Sequence, residues 1–186
     1  MVILPNLLCG TEKPHLCNLI LKIIRLTQLA TYKERGPVVN VIVIFQVMET
    51  SPTIGFNVGT LDLDKKTSLT VWDVGGQKSM RANWRYYLDD CKALVFVVDS
   101  SNPARLPEAQ KVLKKVLNEE KLRGVPLMVL ANKKDLADSM TIREISNQLD
   151  LPSHEDRLWE IQACSALKGL GLQQAFMSVS KLIKKT

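Results

Sequence analysis

The sequence predicts an α/β domain built on a mostly parallel sheet with helices on both faces, and three observations predict it. From Ser68 onward, short apolar runs alternate with helical patterns, which is how βα units read. Each apolar run ends in a polar residue or a small-residue loop. The segments between them carry apolar residues at helical spacing.

Four runs read as parallel strands: Leu69–Asp73, Leu94–Asp99, Leu127–Ala131 with Asn132 after it, and Trp159–Ala163. Phe56–Leu63 reads as an antiparallel edge strand joined to the first of them by a hairpin near Asp64, Lys65 and Lys66. Leu106, Ala109, Val112, Leu113, Val116 and Leu117 form one helical stripe, with Pro107 suited to its first turn. Thr141 and Glu144 have capping-box spacing at the head of a second helix through Ile145 and Leu149. Leu172, Ala175, Phe176, Val179, Leu182 and Ile183 stripe a third, after Gly169 and Gly171.

Composition narrows the class. With 186 residues, 46% hydrophobic and 24% charged, the chain fits one domain with a full core and not a disordered polymer. The net charge of +6 divides evenly, +3 in residues 1–46 and +3 in the remainder. A solvated basic surface follows, with at most peripheral attraction to anionic membranes and no nucleic-acid signature. Cys9, Cys17, Cys91 and Cys164 show no paired metal-ligand spacing, and His15 and His154 add none, so reduced thiols in a cytoplasmic protein are expected. The start lacks a basic leader, and no uninterrupted apolar run approaches the ~18 residues of a membrane span.

Residues 1–46 differ in texture from residues 47–186 and are read as a divergent N-terminal segment with a possible strand and helix. Leu16–Tyr32 has helical spacing, Gly36-Pro37 ends it, and Val38–Val47 is dense in β-branched residues.

The chemistry is expected beyond the strands' carboxyl ends, where open α/β sheets bind ligands. Asn132-Lys133-Lys134-Asp135 follows a buried run. An Asp there accepts from the ring N–H and amine of guanine, the Lys133 stem lies along a base, and the Asn132 amide ties loops together. Asp73-Val74-Gly75-Gly76-Gln77 follows another. Its Asp suits a water-bridged Mg²⁺, Gly76 lets a backbone N–H approach a terminal phosphate, and Gln77 is placed to orient an attacking water. In Pro52-Thr53-Ile54-Gly55-Phe56-Asn57 the Thr suits a loop that senses Mg²⁺ and phosphate. Cys164-Ser165-Ala166-Leu167 can meet guanine O6 through backbone N–H groups.

In this order and at these strand ends, residues 47–186 resemble an Arf or Arf-like small GTPase; WDVGGQ and PTIGFN are spellings of that branch. The resemblance implies a P-loop-NTPase-like fold that binds GTP/GDP and Mg²⁺ and acts as a switch in membrane traffic or related signalling. It implies Thr53 and Asp73 toward the metal, Gln77 in catalysis, and Gly76, Asn132, Lys133, Lys134, Asp135, Ser165, Ala166 and Leu167 toward the nucleotide. Effectors, an exchange factor and a GTPase-activating protein are the implied partners. Phe56, Trp72 and Tyr87 resemble the family's exposed aromatic triad, with ordinary core packing the competing reading for Trp72 and Tyr87.

Two family features are missing. Position 2 is Val, so the N-myristoylation glycine is absent, and the phosphate loop GxxxxGK(S/T) occurs nowhere. The nearest overlay, Pro5–Glu12, keeps only Gly10. Only a short stretch separates Val38–Phe45 from Thr53, too little for a crossover carrying a helix, so Val2–Leu4 followed by Leu16–Tyr32 is assigned the first strand and helix. The first strand and phosphate loop are therefore abnormal, and nucleotide binding is expected to be weakened. Beside the switch reading stand a non-enzymatic effector-binding pseudo-GTPase and a variant or mis-joined N-terminus on a GTPase body.

Overall fold

The computed structural model describes residues 2–3, 38–45, 56–64, 67–76 and 78–186. The expected Leu16–Tyr32 helix, the Pro5–Glu12 overlay, Thr53, the 65–66 turn and Gln77 lie outside them.

Seven strands form one sheet: β1 (Val2–Ile3), β2 (Val38–Phe45), β3 (Phe56–Asp64), β4 (Thr67–Val74), β5 (Leu94–Asp99), β6 (Leu127–Asn132) and β7 (Trp159–Ala163). β4, β2, β5, β6 and β7 lie side by side in that order and are all parallel, while β3 runs antiparallel along β4. Among the described residues, three α-helices join or follow the later strands: α1 (Leu106–Leu117), α2 (Ile142–Gln148) and α3 (Leu172–Lys185). This is the expected α/β architecture. Leu94–Val98 and Leu127–Ala131 are buried without alternation, as central parallel strands covered on both faces must be.

One expectation is corrected. Val38–Phe45, excluded above for want of a crossover, is the strand between β4 and β5: Val38–Ile44 register against Ser68–Val74, and Ile42–Phe45 against Leu94–Val97. The crossover requirement does not apply, because the next strand is antiparallel. The chain leaving β2 has only to pass over the end of β4 to begin β3, two strand spacings or about 10 Å away. The ten residues 46–55 span that distance several times over. Val2–Ile3 registers with Trp72, Asp73 and Val95, positions that Ile42 and Val43 also occupy. One strand edge supports one ladder, and the eight-residue β2 covers the place from end to end.

The helices form where the stripes place them. In α1, Leu106, Ala109, Leu113, Val116 and Leu117 are buried and Pro107 lies in the first turn. Thr141 Oγ1 accepts from the Glu144 N–H at 3.2 Å while Glu144 Oε2 accepts from the Thr141 N–H at 2.7 Å, which completes the capping box. In α3, Leu172, Ala175, Phe176, Val179 and Leu182 are buried. Among the described residues, no helix is long and apolar enough to cross a membrane.

A proline substitution tests which segment holds the central place, because it removes a ladder donor from a strand paired on both sides. Val43→Pro should take a large share of the ~5–15 kcal/mol available to a domain and abolish the cooperative thermal transition. Ile3→Pro should leave the transition within a few degrees of its parent. The reverse outcome would give the place to Val2–Ile3.

Candidate functional site

The parallel register brings the carboxyl ends of β4, β5, β6 and β7 to one edge of the sheet, and the polar residues gather there. Asn132, the last residue of β6, is 3% exposed and joins two loops. Its Oδ1 accepts from the Ala166 N–H at 2.9 Å and faces the Cys164 thiol at 3.7 Å. Its backbone carbonyl accepts from the Ser100 N–H and hydroxyl, at 3.0 and 2.6 Å. Burial pushes the Cys164 thiol up to about 12, so it serves here as a packed donor and not as a thiolate.

Lys133 has a left-handed backbone, φ 66°, and its ammonium meets Asp99 Oδ2 at 2.6 Å. Asp99 also accepts the Ser101 N–H and hydroxyl on Oδ1, at 2.9 and 2.6 Å. Both side chains are nearly enclosed, so the pair fixes the lysine stem across the end of the sheet. Lys134 turns the other way: its ammonium donates to the Ser139 hydroxyl at 2.9 Å and the Met140 carbonyl at 2.8 Å. Its backbone N–H bonds the Cys164 carbonyl at 3.1 Å.

Asp135 has one carboxylate oxygen, Oδ1, buried with no hydrogen-bond partner in the protein. The Ser165 hydroxyl bonds the carboxylate; against the opposing effect of burial, that bond, the Asp135 backbone and the charges of Lys168 and Lys133 hold it below its ordinary value. The group is thus an anion with an unused acceptor just beyond the end of β6, the kind of group that a pair of N–H donors on a planar base would meet. A buried acceptor left unpaired costs about 1–3 kcal/mol, so the site favours a donor ligand.

The loop after β7 is closed by reciprocal bonds between Ser165 and Leu170, each 3.0 Å. The Ala166 N–H is given to Asn132 and the Lys168 N–H to the Ser165 hydroxyl at 3.2 Å; Leu167 is exposed. A base carbonyl arriving here would share the first of these donors or take that of Leu167.

At the end of β4, Asp73 is 1% exposed, and Gly75 and Gly76 are buried after it. Among the described residues no group of three or more His, Cys, Asp or Glu gathers to enclose a metal. A buried carboxylate such as that of Asp73 suits Mg²⁺, which keeps most of its shell as water and phosphate oxygen. On the adjoining hairpin, the Phe56 ring lies 5.3 Å from those of both Trp72 and Tyr87. Phe56 is half exposed, whereas Trp72 and Tyr87 pack partly against the core, as the packing reading of those two rings expects.

Asp99 and Gly171 escape sequence reading. Asp99 draws its role from Lys133, 34 positions away. Gly171, φ 75°, lies so close to β7 that an added Cβ would stand 2.3 Å from the Ala163 carbonyl oxygen. Gly171→Ala should therefore push α3 off β7 and open the Ser165–Leu170 loop. The expected loss is about 2 kcal/mol or more in urea unfolding. Unchanged stability would show that the loop yields freely.

Comparison with known proteins follows the same residues. The profile of the ADP-ribosylation factor (Arf) family matches residues 36–183, so the match includes β2. ADP-ribosylation factor-like protein 3 of Chlamydomonas reinhardtii is 47% identical over 134 residues, 72% of this chain and 75% of that protein. ADP-ribosylation factor-like protein 2 of Dictyostelium discoideum is 46% identical over 131 residues, 70% of this chain and 71% of that protein. The structure of the Arl6 BBS3 small GTPase of Trypanosoma brucei, with bound nucleotide analogue GppNp, superposes with a TM-score of 0.67 at 29% identity, covering 83% of this chain and 99% of that one. With a profile matching most of its length and relatives at this identity, the chain belongs to the ADP-ribosylation factor family of small GTPases.

Proposed function

We propose that this chain is an Arf-like guanine-nucleotide-binding protein that keeps the base-recognition half of its site and binds the phosphates weakly. The observation that carries it is the buried, unpartnered Oδ1 of Asp135, held ionised beside Ser165 and Lys133. Guanine offers an N–H and an amine side by side to such a carboxylate; adenine does not.

In this reading Asp135 selects the base, the Lys133 stem packs along it, and Asn132 holds the Ser165–Leu167 loop at its carbonyl. Lys134 acts at a distance by fastening the 139–140 carbonyls. Gly76 would give an N–H to the terminal phosphate, and Asp73 and Thr53 are the residues that would hold the metal. Mg²⁺, when bound, supplies positive charge to phosphate oxygens that the protein otherwise meets with few cations. Gln77 is the water-orienting residue.

The weakness lies in what the sequence lacks. A phosphate loop contributes a nest of N–H groups, a lysine and a hydroxyl, each charge-assisted bond worth about 1.5–3 kcal/mol. Losing several costs about 5 kcal/mol, several powers of ten in affinity. Hydrolysis depends on the same positioning, so turnover is slow. The domain on this reading begins with β2, and residues before it form the divergent segment. Phe56, Trp72 and Tyr87 form the face offered to effectors in membrane traffic or related signalling, with an exchange factor and an activating protein as family-type regulators. The protein is cytoplasmic and at most peripheral on membranes.

Competition binding with Asp135→Asn tests the base assignment. The variant should lose guanine binding and gain affinity for a xanthine nucleotide, whose carbonyl replaces the amine. An unaltered guanine preference would remove Asp135 from the site.

A further inference from the structure

A second set of bonds, not used in reading the base, grips the turn after β4. Trp84, on the short 3₁₀ helix Arg81–Tyr86, donates its indole N–H to the Gly75 carbonyl at 3.0 Å from a buried position. Arg81 donates Nε to the Gly76 carbonyl at 3.1 Å. Its two terminal nitrogens both lie 3.2 Å from Glu108 Oε1, at the start of α1, and Arg105 reaches Glu108 Oε2 at 3.4 Å. All three nitrogens of the Arg81 guanidinium are thus engaged by two acceptors, a fork that a lysine cannot reproduce.

Burial opposes ionisation of Glu108, yet hydrogen bonds and charge from Arg81, then Arg105, hold its carboxyl below the ordinary value. Its place in the first turn of α1 adds the favourable end of the helix dipole. The Arg81 anchor is therefore a standing charge on a rigid element.

The geometry constrains Gly76 on both sides. A peptide is planar, so the Gly75 carbonyl and the Gly76 N–H point in fixed, opposite directions. Fixing the first aims the second. Arg81 fixes the next carbonyl in turn, so both peptides flanking the glycine are held, at the residue type with the most backbone freedom to lose. The aromatic face is tied to the same turn, because the Tyr87 N–H donates to the Trp84 carbonyl at 2.9 Å.

We propose that Trp84 and Arg81, the latter braced by Glu108 and Arg105, are positioning residues that form a latch on Gly76. The latch sets the direction of the Gly76 N–H through bonds made within the chain alone. That this N–H meets a terminal phosphate rests on the function proposed above; the latch does not. In a chain without a phosphate loop, the turn and the face beside it are then ordered by protein contacts and not by nucleotide.

Hydrogen exchange on the full chain without nucleotide tests this, read at the Trp84 indole N–H that the Gly75 carbonyl accepts. Arg81→Ala and Glu108→Gln should each raise exchange at the Trp84 indole by about tenfold or more, while amides of β6 and α3 stay within about twofold of the parent. Because both act through one guanidinium, the double variant should exchange no faster than about twice the faster single one. Glu108→Gln preserves packing and gives the reading should Arg81→Ala not fold. The latch is overturned by an unprotected Trp84 indole in the parent chain, by no change in Glu108→Gln, or by single effects that multiply in the double variant. None of these results depends on guanine binding, which the Asp135 competition reads separately.

Discussion

The hydrogen bond between Asn132 Oδ1 and the Ala166 N–H is the contact on which the rest of the site depends. Asn132 ends a strand buried on both faces, so its backbone has no freedom to follow a moving loop. Its carbonyl is taken by Ser100, its side chain by the loop after β7, and the next residue turns into the left-handed region to send a lysine toward Asp99. Three strand ends are thereby fixed relative to one another by Asn132 and the lysine after it. Asp135, three residues on, inherits that rigidity. Without it, an ionised carboxylate with an unused acceptor could swing out to water, and the base selectivity proposed for it would vanish.

This organisation divides the site into two halves that fold independently of each other's chemistry. The base half is assembled from β5, β6, β7 and the loops after them, all within the best-packed part of the core. The turn carrying Gly75 and Gly76 is held by Trp84 and by the Arg81–Glu108 pair, also from within the chain. Neither depends on the family's phosphate loop. On the proposed reading, a chain without that loop loses affinity and turnover first, while the sheet and the turn after β4 keep the contacts that hold them.

Legibility in the sequence followed sequence distance. The strands from Leu69 to Ala163, the α1 and α3 stripes and the Thr141–Glu144 box were readable because each depends on residues a few positions apart. Asn132, Asp135 and Ser165 were readable as candidates because strand ends are where such sheets place ligands. Asp99, Arg81 and Glu108 were not, since their partners lie 34 and 27 positions away and nothing local marks them. Lys134 shared a motif with Lys133 but takes different partners, Ser139 and Met140 instead of Asp99, which spacing cannot tell. β2 was misjudged for a different reason: the crossover rule was applied to a connection that leads to an antiparallel strand.

The central claim, a sound base site joined to a weak phosphate site, is tested most directly by calorimetric titration of the full chain with GTP and with guanosine at saturating Mg²⁺. If the phosphates contribute little, GTP binds less than about a hundredfold more tightly than guanosine, a margin under about 2.7 kcal/mol. A larger ratio would contradict the account and place a working phosphate site in residues beyond those described.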